Sequence, residues 1–182
     1  MKPTGTIEGN AYANKFFGVE YTLPEGFGFY SADQLAEMNA AIGNTNEDQA
    51  VMEAYKGGTA FFDMAAASEN NPNDSIVMQI ADPDPEAAAM DEAGYIEAAK
   101  DKMLEQLKAA GAAVKSAEPG TYTNQKTGDE FTAVKLAIEL RGTPLCEEVI
   151  CIKAGDCFMN VTATTTGEAE LDSVLSHLTR IR

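Results

Sequence analysis

The stretch Val134-Lys135-Leu136-Ala137-Ile138-Glu139-Leu140, followed by Leu145-Cys146-Glu147-Glu148-Val149-Ile150-Cys151-Ile152-Lys153, decides the fold class. Apolar residues recur at every second position, the period of a β-strand. Gly142-Thr143 separates the two runs as a tight turn. Ala154-Gly155-Asp156 turns the chain again, into a third strand from Cys157 to Thr165. If Leu140 faces Leu145, then Leu136 faces Val149 and Val134 faces Cys151. The opposite faces, with Ile150, Ile152 and Phe158, are apolar too. A sheet apolar on both faces must be covered on both. The expectation is an α+β fold: a mainly antiparallel β-sheet covered by helices on both faces, an α/β/α sandwich.

Helical spacing on either side supplies the cover. Ser31-Ala32-Asp33-Gln34 fits a capping box and starts a helix with Leu35, Met38 and Ile42 on its apolar stripe. Gly43-Asn44 is its stop. A second short helix is expected, capped by Asn46, ended by Gly57-Gly58 and facing inward with Val51, Met52 and Tyr55. Thr59 to Ala67 and Ser75 to Ala81 read as a strand pair. The longest helix is expected from Pro85 to Ala110, with Ile96, Ala99, Met103 and Leu107 at helical spacing and Gly111 closing it. A last helix runs from Gly167 to Leu178 on Leu171, Val174, Leu175 and Leu178. Upstream of all these, Tyr12 to Leu23 carries two short strand-like runs hinged at Gly18, and Pro24-Glu25-Gly26 turns the chain.

The chain has 182 residues, and no linker or repeat divides it. Its 13 basic and 29 acidic residues give a net charge of −16. That charge repels phosphate backbones and anionic lipid, which argues against nucleic acid and membrane-surface partners. No stretch approaches the run of about 20 apolar residues that a spanning helix needs. Between Phe16 and Ala99 lie 16 acidic residues and one basic one, Lys56; from Lys100 onward the charges nearly cancel. That acidic half is either a solvated face or a surface that steers a cationic partner.

The opening Tyr12-Ala13-Asn14-Lys15-Phe16-Phe17-Gly18-Val19-Glu20-Tyr21, leading into Leu23-Pro24-Glu25-Gly26-Phe27-Gly28-Phe29, resembles the start of small PsbP-like domains. Their pattern is Y-x-N-x-x-x-G-φ-x-φ-x-φ-P-x-G-W-x-φ, with φ apolar, and Phe27 stands where tryptophan is usual. The group includes photosystem-associated PsbP proteins, the Ran-binding Mog proteins and uncharacterised lipoproteins of Gram-positive gut bacteria. The order of elements over nearly the whole chain is similar as well. The resemblance implies a compact α-β-α sandwich that commonly serves as a binding or assembly module and shares no catalytic residues. In bacterial members a lipobox cysteine usually precedes a short polar tether, and Lys2-Pro3-Thr4-Gly5 resembles the remnant of one. The expected organisation is therefore an N-terminal tether over 1–10 and a single domain over 11–182, with the leader absent.

Each candidate for chemistry has a plainer reading beside it. Cys151 and Cys157 are placed to form a cross-strand disulfide about the Ala154-Gly155-Asp156 turn, with Cys146 left over; the plainer reading is three buried thiols acting as small hydrophobes. His177, the only histidine, lies beside the last helix's apolar stripe, so histidine-built zinc sites and triads have little to draw on. Asp82-Pro83-Asp84-Pro85-Glu86 lacks the glycine and terminal acid of a calcium loop and reads better as a helix start, with Asp84 as N-cap. Asn70, Asn71, Asn73 and Asp74 offer adventitious cation binding at most. Gly26-Phe27-Gly28 and Gly57-Gly58 lack the spacing or lysine of a phosphate loop. Asp91-Glu92 and Glu147-Glu148 are adjacent acids, and Glu147 shares a face with Leu145, Val149 and Cys151.

No residue is singled out as catalytic, cofactor-binding or metal-ligating. The expected function is a non-enzymatic binding or interaction domain of a secreted or lipid-anchored bacterial cell-surface protein. Its partner would be a protein with a basic surface, or a small ligand. The alternative is a carboxylate-based hydrolase or transferase, metal-assisted or not.

Overall fold

The turn between the first two strands of the meander is two residues long, and that sets the register of everything beside it. The computed structural model describes residues 3–44 and 59–182; the helix expected between Asn46 and Gly58 lies outside them. Strands β8 (Glu130–Leu140) and β9 (Thr143–Ala154) pair with Leu140 opposite Thr143 and Ile138 opposite Leu145. The expected pairing of Leu140 with Leu145 is thus shifted by two residues. Arg141 (φ 52°) and Gly142 (φ 84°) both adopt left-handed backbone, as a tight two-residue hairpin turn requires. An even shift keeps each side chain on its face, so the layers survive although the partners change.

The second turn shows an odd shift and its consequence. Gly155-Asp156, two residues rather than three, brings Cys157 of β10 (Cys157–Thr165) opposite Ala154 and Phe158 opposite Lys153. Phe158 therefore joins Cys151 and Val149, not Ile150 and Ile152 as expected. Its ring stacks on Tyr95, with centroids 3.9 Å apart.

Seven antiparallel strands form the large sheet in the order β4-β5-β6-β10-β9-β8-β7. Here β4 is Phe27–Phe29, β5 Thr59–Ser68 and β6 Ser75–Asp82. The expected strand pair is present, joined through Glu69–Asp74. Strand β7 (Ala112–Thr123) has no counterpart in the sequence reading. It is an edge strand, largely polar and half exposed, and it tolerates Pro119 because one side of it has no ladder to complete.

Each face of this sheet carries its own core. Val134, Leu136, Ile138, Leu145, Val149, Cys151 and Phe158 pack with Tyr95 and Ile96 of helix α3 (Glu92–Ala109). On the other face, Met64, Met78, Ile80, Ile150, Ile152, Met159 and Val161 pack with Tyr12, Phe17, Val19 and Tyr21. Tyr12, Val19 and Tyr21 come from a second, four-stranded sheet, ordered β1-β2-β3-β11, and Phe17 from the turn between its second and third strands. Its strands are β1 (Thr6–Glu8), β2 (Ala11–Asn14), β3 (Val19–Thr22) and β11 (Leu178–Arg180). Leu171, Val174 and Leu175 of helix α4 (Glu168–Leu175) join the same core. Among the described residues, this face, where helical cover was expected, carries a strand layer with a short helix beside it. The architecture is α+β, built on mainly antiparallel sheets.

Two helix boundaries differ from expectation for reasons visible in the hydrogen bonds. The long helix is broken into α2 (Pro85–Ala88) and α3 by a second N-cap: Asp91 accepts from the Gly94 N–H at 2.8 Å. The ammonium of Lys153 donates to the carbonyls of Ala88 and Met90, which the break exposes. The last helix stops at Leu175, so Leu178 is buried in β11 against Tyr21. The Asn124 amide holds that corner by donating to the carbonyls of Ser176 and Leu178. At the other end, α1 (Ala32–Asn44) starts with the expected capping box: Ser31 N–H to Gln34 Oε1, Gln34 N–H to Ser31 Oγ. Its Asn39 donates to and accepts from the Phe62 backbone, filling the place of a ladder partner at the bulge in β5.

Candidate functional site

Tyr12 and Asn14, two apart on β2, point to the same side of the strand, and both reach Asp63 of β5. The Tyr12 hydroxyl donates to Asp63 Oδ2 at 2.6 Å, and the Gly5 N–H donates to the same oxygen at 2.8 Å. Asn14, fully buried, donates to the Pro3 carbonyl, while its own oxygen accepts from the N–H groups of Phe16 and Phe17. Burial and the neighbouring Asp63 carboxylate push the Tyr12 phenol far above its ordinary range, so its proton stays in place as a donor. The Tyr-x-Asn pair is therefore a structural tie between the two sheets. It also anchors residues 3–5, and the segment read as a tether goes on to form β1.

The other sequence candidates are dispersed. Cys146, Cys151 and Cys157 are free thiols. Cys151 lies opposite Asn160 and Cys157 opposite Ala154, on different faces, so the disulfide considered from spacing does not form. Burial pushes the Cys151 thiol up, away from reactivity. His177 sits half-buried beside Tyr21, with ring centroids 6.4 Å apart, and burial together with Lys126 lowers its affinity for a proton. Asp84 is the expected N-cap, accepting from the Ala87 N–H at 2.9 Å with Pro85 at the first turn. Asn71 and Asp74 tie the β5–β6 loop to Thr166. Glu92 accepts from the Lys153 N–H. Among the described residues no group of three or more His, Cys, Asp or Glu side chains converges to hold a metal, and no helix is long and apolar enough to cross a membrane.

Glu147 and Glu148 separate to opposite faces of β9. Glu147 accepts from the Thr164 hydroxyl at 3.0 Å, and burial raises its carboxyl above the usual range despite that bond. Glu148 enters a concave feature lined by charged and polar side chains. A cleft of about 420 Å³ opens between the end of β7, strands β8 and β9, and helix α4, lined by Tyr122, Lys126, Lys135, Glu148, Asp172 and Ser176 among others. Lys135 and Glu148 are direct cross-strand partners, yet the Lys135 ammonium lies 3.4 Å from Glu168 of α4. Glu148 is 7% exposed. Burial raises its carboxyl, Asp172 adds to the rise and Lys135 opposes it. The Tyr122 phenol, between the two acids, is pushed up to about 12 by burial first and then by Asp172 and Glu148. The cleft thus presents one buried acid, one exposed acid in Asp172, a protonated phenol and two lysines. It is suited to holding a charged group rather than to running acid–base chemistry between two buried carboxyls.

Sequence reasoning weighed Glu148 only as the neighbour of Glu147 and did not single out Tyr122, Lys135 or Asp172. Without β7, nothing placed Tyr122 beside the meander. The available signal was that Lys135 and Glu148 interrupt the inner face of an otherwise apolar hairpin.

No protein-family model matches the chain, and no curated protein matches it in sequence. Among solved structures, the cyanobacterial PsbP (CyanoP) of Synechocystis sp. PCC 6803 aligns over 99% of this chain and 94% of its own, with a TM-score of 0.54 at 11% identity. A protein of Bacteroides thetaiotaomicron VPI-5482 aligns over 97% of this chain and 50% of its own, with a TM-score of 0.43 at 10% identity. The superposition on CyanoP over nearly the whole length of both chains shows that the chain has a PsbP-like fold.

Proposed function

We propose that this chain is a non-enzymatic interaction domain that docks a partner with a basic surface, and that it works outside the cytoplasm, held to a bacterial cell surface by a lipid on an N-terminal tether. The observation that carries the reading is the segregation of charge: 16 acidic residues against one basic between Phe16 and Ala99. In the fold, Glu25, Asp33, Glu37, Glu69 and Asp82 of that stretch are exposed. Such a field raises the encounter rate with a cationic protein and repels nucleic acid. The alternative, carboxylate-based hydrolysis or transfer, calls for two convergent buried acids; the cleft pairs buried Glu148 with exposed Asp172, which favours binding.

The test is affinity capture from an envelope extract of the source organism, washed at low and at high salt, beside a variant carrying Glu25→Gln, Asp33→Asn, Glu37→Gln and Glu69→Gln. A protein retained by the wild type at low salt, released at high salt and lost with the variant supports docking through exposed charge, which salt screens beyond about 10 Å at 0.1 M. Equal retention by wild type and variant contradicts it.

A further inference from the structure

We propose that the cleft over β8 and β9 is a binding site for a small zwitterion of the amino-acid class, its ammonium held at Glu148 and its carboxylate at Lys126. Every lining residue comes from the part of the chain after Lys100, so this site is separate from the acidic docking surface. Three observations carry the proposal. Glu148 is more than nine-tenths buried and lines the cleft, yet no hydrogen bond or ion pair reaches its carboxylate among the described residues. Its carboxylate oxygens are not sealed in the interior without a partner; they open to the cleft, where an ammonium can supply a charge-assisted hydrogen bond. The cross-strand partner of Glu148, Lys135, also lines the cleft, but its ammonium pairs at 3.4 Å with the exposed Glu168 of α4 rather than with Glu148.

The space itself has a cause in the sequence. The row of the sheet between Lys135–Glu148 and Tyr122–Phe131 carries Gly120 opposite Ala133, and a Cβ at Gly120 would meet nothing within 4 Å. Gly120 thus sets no side chain at the edge of this face, while the Tyr122 hydroxyl lines the cleft and Ser176 Oγ, which donates to the Ser173 carbonyl, keeps lone pairs to accept from a guest. Asp172 adds negative potential at the ammonium end. Lys126, at the turn after β7, provides the only lining cation besides Lys135, and Lys135 is already paired. A guest with an ammonium alone would leave Lys126 unmatched; a guest with a carboxylate alone would meet Glu148 and Asp172.

Three probes of equal length separate these cases: butylamine, γ-aminobutyrate and butyrate, titrated into the isotope-labelled full chain and followed by amide NMR spectra. The expected result is saturable shifts at Thr121–Thr123, Glu148 and Asp172–Ser176 with γ-aminobutyrate, weaker shifts with butylamine and none with butyrate. Glu148→Gln, its fold checked by the same spectra, weakens γ-aminobutyrate by about tenfold, the loss of a charge-assisted hydrogen bond. Lys126→Ala weakens γ-aminobutyrate and leaves butylamine unchanged. Absence of saturable shifts with both amines, equal affinity for butylamine and γ-aminobutyrate, or an unchanged affinity in a folded Glu148→Gln variant overturns the assignment.

Discussion

Asn14 engages both ends of its amide in a site without solvent, binding Pro3 through its nitrogen and the backbone of Phe16 and Phe17 through its oxygen. Removing such a group strands its buried partners, so Asn14→Ala is expected to cost about 3 kcal/mol in a urea titration. Asn14→Asp should also be poorly tolerated, because it sets a second carboxylate beside Asp63. Glu147 makes a prediction of opposite sign. Its carboxyl is raised by burial, so the folded chain holds that proton more tightly than the unfolded chain. Stability contributed by the protonated form is present at low pH and is lost as pH rises through the carboxyl range. Glu147→Gln keeps an acceptor for Thr164 and removes the charge. It should therefore be more stable than wild type at about pH 7 and indistinguishable from it at about pH 3, below both carboxyl ranges, in paired denaturant titrations. Asp129 runs the other way: the Arg180 N–H holds its carboxyl below the usual range, so its contribution is lost as pH falls.

Elements whose signal is local were legible in the sequence: the Ser31–Gln34 capping box, the Asp84 cap, and the β5–β6 pair with its Asn- and Asp-rich loop. Elements fixed by turn chemistry were not. An Arg-Gly pair does not announce a two-residue hairpin as Asn-Gly does, so the β8–β9 register was displaced by two residues. One fewer residue in the next turn carried Phe158 to the other face and Cys157 away from Cys151. Strand β7 was hidden because an edge strand with one wet face carries few apolar residues. The cleft was lost with it, since Tyr122 is its wall. The break between α2 and α3 was masked by continuous helix formers around Asp91, and its stability rests on a long-range donor. Lys153→Met removes the ammonium from the Ala88 and Met90 carbonyls and should cost about 1 to 2 kcal/mol, with faster amide hydrogen exchange across 88–92.

At the scale of the whole molecule, two sheets meet through a shared core, and a second core lies under α3. This layering holds a chain whose net charge of −16 works against compaction. Added salt screens that self-repulsion, so the thermal midpoint is expected to rise between about 0.02 and 0.5 M sodium chloride, while sucrose at matched osmolality should not reproduce the low-salt part of the rise. The same field bears on function. A captured basic partner should bind more weakly as salt rises, because exposed charges at the contact are screened. The measurement that tests the account most directly is the dissociation constant of that partner across a salt series, for the wild type and for the variant neutralised at Glu25, Asp33, Glu37 and Glu69. The account predicts a steep salt dependence for the wild type and a markedly shallower one for the variant. Two parallel lines, with unchanged affinity, would contradict it.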